Sequence, residues 1–151
     1  MKVTRLLHAS VNVSADLDGT RDWYARTLGL DATWRPEIPG VPGAWFAVDA
    51  VQLHLVGAPE LGAGERSPAN DVEGPSRDER ARDHASGNRS IDPSAHHVCF
   101  AVADLDAAVA ELDAAGIAYV RGSQDQRGVQ VAQIFVTDPV GNVVELQQDP
   151  G

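Results

Sequence analysis

Between residues 6 and 13 apolar and polar side chains alternate, with Ala9, Val11 and Val13 on one side and His8, Ser10 and Asn12 on the other. A period of two is that of a strand with one buried face. Leu17, Tyr24 and Leu28, with Trp23 beside them, then recur at helical spacing, from a cap at Asp16 or Asp18 to a stop at Gly29. Three more strands are predicted near 30–35, 44–48 and 51–56, the last two joined by Asp49 and Ala50. In the third of these, Val51, Leu53 and Leu55 share one face, and Gln52 and His54 share the other.

The second half repeats this plan. A strand over 96–102 leads to a helix carrying Leu105, Ala108, Val109 and Leu112, which ends at Gly116; strands follow near 118–121, 129–137 and 143–148. His8 precedes His97 by 89 residues and Val13 precedes Val102 by the same 89, so the halves are copies of one βαβββ unit. The chain therefore reads as a single domain over 1–151, with module one over 1–56, a linker over 57–93 and module two over 94–148. Gly, Pro, Ser, Asp, Glu and Arg dominate the linker, and large apolar residues almost vanish from it. That composition suits a solvated connection or a lid. Its Arg66, Arg77, Arg80, Arg82 and Arg89 are candidates for meeting an anionic ligand.

A length of 151 residues with 43% hydrophobic content supports one core. The net charge of −10 repels a phosphate backbone, which excludes nucleic acid as the expected partner. Cys99 is the only cysteine, so neither an intrachain disulfide nor a cysteine-based zinc site can form. No apolar run approaches the roughly 20 residues of a membrane span, and the first residues lack the form of a signal peptide. A cytoplasmic protein that acts on a small molecule is the expectation.

Each module's outer strands carry a chemically useful side chain on the face opposite the apolar one: His8, Gln52 or His54, His97 and Glu145. Aligning Val51-Gln52-Leu53 with Val144-Glu145-Leu146 places Gln52 and Glu145 93 residues apart, close to the repeat offset. A pseudo-twofold axis would then gather all four. His54 is open to three roles, as cavity wall, general base or ligand.

The pattern His8-x-x-Val11-x-Val13-x-x-Asp16-Leu17, the segment Trp23-Tyr24-x-x-x-Leu28-Gly29-Leu30, the pattern His97-x-x-Phe100-x-Val102-x-Asp104-Leu105 and the segment Asp138-Pro139-x-Gly141-Asn142-x-x-Glu145-Leu146 resemble the vicinal oxygen chelate superfamily. That group includes glyoxalase I, methylmalonyl-CoA epimerase, extradiol dioxygenases, fosfomycin-resistance enzymes and bleomycin-binding proteins. The resemblance covers the chain except 57–93. It implies an α+β fold in which two pseudo-symmetric βαβββ modules form a curved mixed sheet around a cup. It also implies one divalent ion (Zn, Ni, Co, Mn or Fe) held by His8, Gln52, His97 and Glu145, with Glu145 or His54 as proton carrier, and a homodimer.

Two imidazoles and a carboxylate leave such an ion positively charged with exchangeable positions. It can chelate two neighbouring oxygens and either stabilise an enolate or, as iron(II), activate dioxygen. Three functions are therefore expected to compete: a lyase or isomerase of the glyoxalase kind, an extradiol-type dioxygenase, and a metal-free binding protein that uses Trp34 and Trp45. Plainer roles are expected elsewhere: packing or surface for His96, solvent for His84, a small buried thiol for Cys99, and a turn for residues 138–142. Gly62-Ala63-Gly64 lacks the Lys-Ser/Thr of a phosphate loop.

Overall fold

A computed structural model describes residues 3–57, 91–126 and 128–148. Module one runs β1 (His8–Val13), α1 (Leu17–Thr27), β2 (Asp31–Thr33), β3 (Gly43–Val48) and β4 (Val51–Gly57). Module two runs β5 (His97–Val102), α2 (Leu105–Ala115), β6 (Tyr119–Gln126), β7 (Val129–Thr137) and β8 (Val143–Gln148). Each forms a four-stranded sheet, in the orders β1-β4-β3-β2 and β5-β8-β7-β6. The outer pairs β1·β4 and β5·β8 are parallel and the others antiparallel. This is the expected two-module α+β fold. Linker residues 58–90, with the five arginines named above, His84 and Gly62-Ala63-Gly64, lie outside the described residues.

The helix boundaries follow from local chemistry. Asp16, not Asp18, caps α1; its carboxylate accepts from Gly19 N at 3.0 Å while its own backbone sits at φ 48°, a region Asp tolerates better than most residues. Asp104 caps α2 through Ala107 N at 2.9 Å, and Gly116 closes it at φ 66°. One apolar cluster spans both modules and includes Tyr24, Phe46, Leu53, Leu55, Leu112, Ile134, Val136 and Val144. Asp138, in the β7–β8 turn, is buried and accepts from Tyr24 of α1, so the turn also fastens the modules together. No helix among the described residues is long and apolar enough to cross a membrane.

Candidate functional site

Leu53 and Leu55 point into the core beneath α1, so alternation sends Gln52 and His54 to the opposite face of the first sheet. Trp45 is the cross-strand neighbour of His54, and their rings stack at 4.1 Å and 5°. His8, on the edge strand β1, stacks on His54 from the other side at 4.2 Å and 11°. His54 is therefore the middle ring of three, and its Nε2 lies 3.0 Å from Gln52 Oε1, which accepts its proton. Burial pushes the His54 pKa below the ordinary histidine value, and the charges of His8 and Arg35 act in the same direction. A neutral imidazole with one free lone pair results.

On the second sheet His97 Nε2 meets Glu145 Oε2 at 2.8 Å. His97 Nδ1 lies 2.8 Å from the Ala95 carbonyl, which can only accept, so Nδ1 carries a proton. The remaining Nε2 and carboxylate oxygen share a single proton, in a place where a cation of higher charge has two ready donors. Gln133 Nε2 donates to the other carboxylate oxygen, and the Phe135 ring stands edge-on to His97 at 5.8 Å. Gly122 leaves room for this arrangement: a Cβ there would come within 3.1 Å of Phe135 and 3.5 Å of the Gln133 amide oxygen.

Strand pairing changes the expected equivalence. His8 pairs with Gln52 and Ser10 with His54, whereas His97 pairs with Val143 and Cys99 with Glu145. With His8 matched to His97, the counterpart of Glu145 is His54, and Gln52 corresponds to Val143. The equivalence of Gln52 with Glu145 is thus corrected by two residues, and Gln52 is instead the hydrogen-bond partner that orients His54.

The four-point convergence is not found within one chain. His8 and His54 form a pair on one sheet and His97 and Glu145 a pair on the other, and among the described residues no three His, Cys, Asp or Glu side chains are grouped to hold an ion. The donor types suit a divalent metal, but a protein site needs at least about three protein ligands, and a single chain gathers two at each place.

Cys99 is exposed rather than buried, with Sγ 3.8 Å from Gln147 Oε1. Partial desolvation, followed by the Glu145 carboxylate, pushes its thiol up to about 11. At pH 7.5 the thiolate fraction falls on the order of a hundredfold below that of an ordinary thiol. Iodoacetamide should accordingly alkylate metal-free protein slowly despite the exposure, faster towards pH 11, and faster at pH 7.5 in Glu145→Gln. Labelling at the rate of free cysteine would contradict this account. His96 is exposed, as expected, and Trp34, 77% exposed, lies beyond β2 with its ring largely in solvent. Gln133 was not anticipated; its one sequence signal is a polar residue interrupting the face formed by Val129, Val131 and Phe135.

The profile of the Glyoxalase/Bleomycin resistance protein/Dioxygenase superfamily matches residues 5–146. The chain is 28% identical over 146 residues to Glyoxylase I 4 of Arabidopsis thaliana, covering 97% of this chain and 71% of that protein. Its fold is similar to that of lactoylglutathione lyase from Agrobacterium tumefaciens (TM-score 0.60, 18% identity, 98% and 96% of the two chains covered). A glyoxalase/dioxygenase from Nostoc punctiforme is comparably similar (TM-score 0.60, 23% identity, 97% and 92% covered). Two βαβββ modules in tandem, the polar outer strands and a profile match across nearly the whole chain agree: the protein belongs to the Glyoxalase/Bleomycin resistance protein/Dioxygenase superfamily.

Proposed function

We propose that the protein is a metal-dependent lyase or isomerase of the glyoxalase kind, cytoplasmic, acting on a small metabolite with two neighbouring oxygens. The ion would be held by His8 and His54 of one copy and His97 and Glu145 of a second, in a homodimer. When bound, it would supply positive charge to polarise the substrate oxygens. Glu145 is the proton carrier: Gln133 holds Oε1, which leaves Oε2 as the oxygen that takes up the substrate's proton. His54, kept neutral by burial and with its Nε2–H engaged by Gln52, would give its one lone pair to the ion. The observation that carries this reading is the 2.8 Å contact between His97 Nε2 and Glu145 Oε2, with His97 Nδ1 tied to a carbonyl.

The test is metal content after purification without chelator, followed by equilibrium dialysis against nickel, cobalt, zinc, manganese and iron(II). We expect a stoichiometric ion in the parent protein, and in His97→Ala a loss of affinity beyond the roughly 10–100-fold that outer-shell changes produce. Retention of iron together with oxygen uptake on a catechol would move the assignment to a dioxygenase. A parent protein that takes up none of these ions would sink the metal-dependent reading. One observation favours a second reading in that event: His8 ends the Trp45–His54–His8 stack and is exposed, so its outer face offers a planar ligand a place to continue the stack without metal.

A further inference from the structure

On the far side of the second sheet from His97 and Glu145, a cavity of about 480 Å³ opens between the modules. Leu28 and Leu30 after α1, Val48 of β3, Phe100 of β5, Leu112 of α2 and Ile117 form its apolar walls. All of these except Leu112 remain half-exposed, so the two modules leave apolar surface here that neither covers. The Phe100 and Leu146 side chains that face the cavity alternate with Cys99 and Glu145, which face the other way. A ligand in this cavity would therefore be separated by one sheet thickness from the candidate site.

The electrostatics of the rim choose the ligand's charge. The last turn of α1 and Ala115 at the end of α2 both line the cavity, so the C-terminal, partially negative ends of two helices lie beside it. The last turn of α2 holds no basic residue to offset that partial negative charge. Glu111 adds a negative charge, and Arg26, the one cationic lining residue among the described residues, reaches Asp22 at 3.8 Å. The chain as a whole carries −10.

We propose that this inter-module cavity is a second binding site, for an organic cation with an apolar body. Its volume lies within the range of about 300–1,000 Å³ typical of small-molecule pockets. The proposal is independent of the metal reading, because no residue of the proposed metal set lines the cavity.

Calorimetric titration of the full chain with tetraphenylphosphonium, and with tetraphenylborate as a counterpart of nearly equal size and opposite charge, tests it. The expected result is one phosphonium bound per chain and much weaker binding of the borate. Ala108→Phe, which fills the cavity, should abolish the binding. Glu111→Lys, at an exposed position that leaves the fold unchanged, should weaken it at least about fivefold. Equal binding of the two ions, no binding of the phosphonium, or undiminished binding in Glu111→Lys would each overturn the proposal. So would a dimer in the parent protein that Ala108→Phe converts to monomer, because a second copy would then be the occupant.

Discussion

Replacing Asp138 with alanine is expected to lower the unfolding free energy by about 3–5 kcal/mol, the cost of removing one partner from a buried, charged hydrogen-bond network. The carboxylate is 2% exposed and receives four donors. Oδ1 accepts from Val140 N at 3.0 Å and Asn142 N at 2.8 Å, while Oδ2 accepts from Asn142 Nδ2 at 2.7 Å and Tyr24 OH at 3.4 Å. Asn142 Nδ2 also reaches the Asn12 carbonyl of β1 at 3.1 Å. The side chain therefore shapes its own turn and fastens module two to the helix and edge strand of module one. Burial, with Asp138 adding to it, holds the Tyr24 hydroxyl far above the ordinary tyrosine range, so it serves as a donor at any working pH. Tyr24→Phe, which removes only the long 3.4 Å bond, should cost about 0.5–1.5 kcal/mol. Urea unfolding followed by circular dichroism measures both. An Asp138→Ala midpoint within error of the parent's would show that the network adds nothing and that the modules dock through apolar contact alone.

The second large effect is a complementation. If the ion is shared between copies, a chain carrying His8→Ala with His54→Ala and a chain carrying His97→Ala with Glu145→Ala should each bind no metal alone. Mixed and allowed to exchange, they form hybrid dimers with one intact site, so cobalt binding should return to about one quarter of an ion per chain by statistical pairing. A site built within one chain recovers nothing on mixing, because every chain lacks half of it. A parent protein that is monomeric at the working concentration while binding a full equivalent would equally refute the shared site. The structural basis is that both β1 and β5 are edge strands, that each sheet bears half of the donors, and that the two sheets are not hydrogen-bonded to each other among the described residues.

Local chemistry wrote much of the architecture into the chain. Asp104 and Gly116 bound α2 because an N-cap carboxylate and a left-handed glycine satisfy backbone groups within a few residues. β7 and β8 were legible because each holds a short run of β-branched and aromatic residues, Ile134-Phe135-Val136 and Val143-Val144, with the turn residues of 138–142 between them. The ends of short or polar strands were less so. β2 covers only three residues, and β6 runs on to Gln126 through Gly122, Ser123 and Gln124, which carry no alternating apolar signal. Its pairing with the strongly apolar β7 holds it in place.

The sequence by itself determined the repeat, the faces of the strands and thus the candidates His8, Gln52, His54, His97 and Glu145, because alternation is a property of consecutive residues. Tertiary structure alone decided that His54, not Gln52, is the counterpart of Glu145. A strand shifted by one residue exchanges its faces, but a shift of two returns every side chain to the same face, so periodicity cannot tell these positions apart. It also decided that the His8–His54 and His97–Glu145 pairs stand on separate sheets without a third His, Cys, Asp or Glu grouped with either to hold an ion among the described residues, since the distance between modules is set by how the turn at Asp138 and the shared apolar cluster dock them.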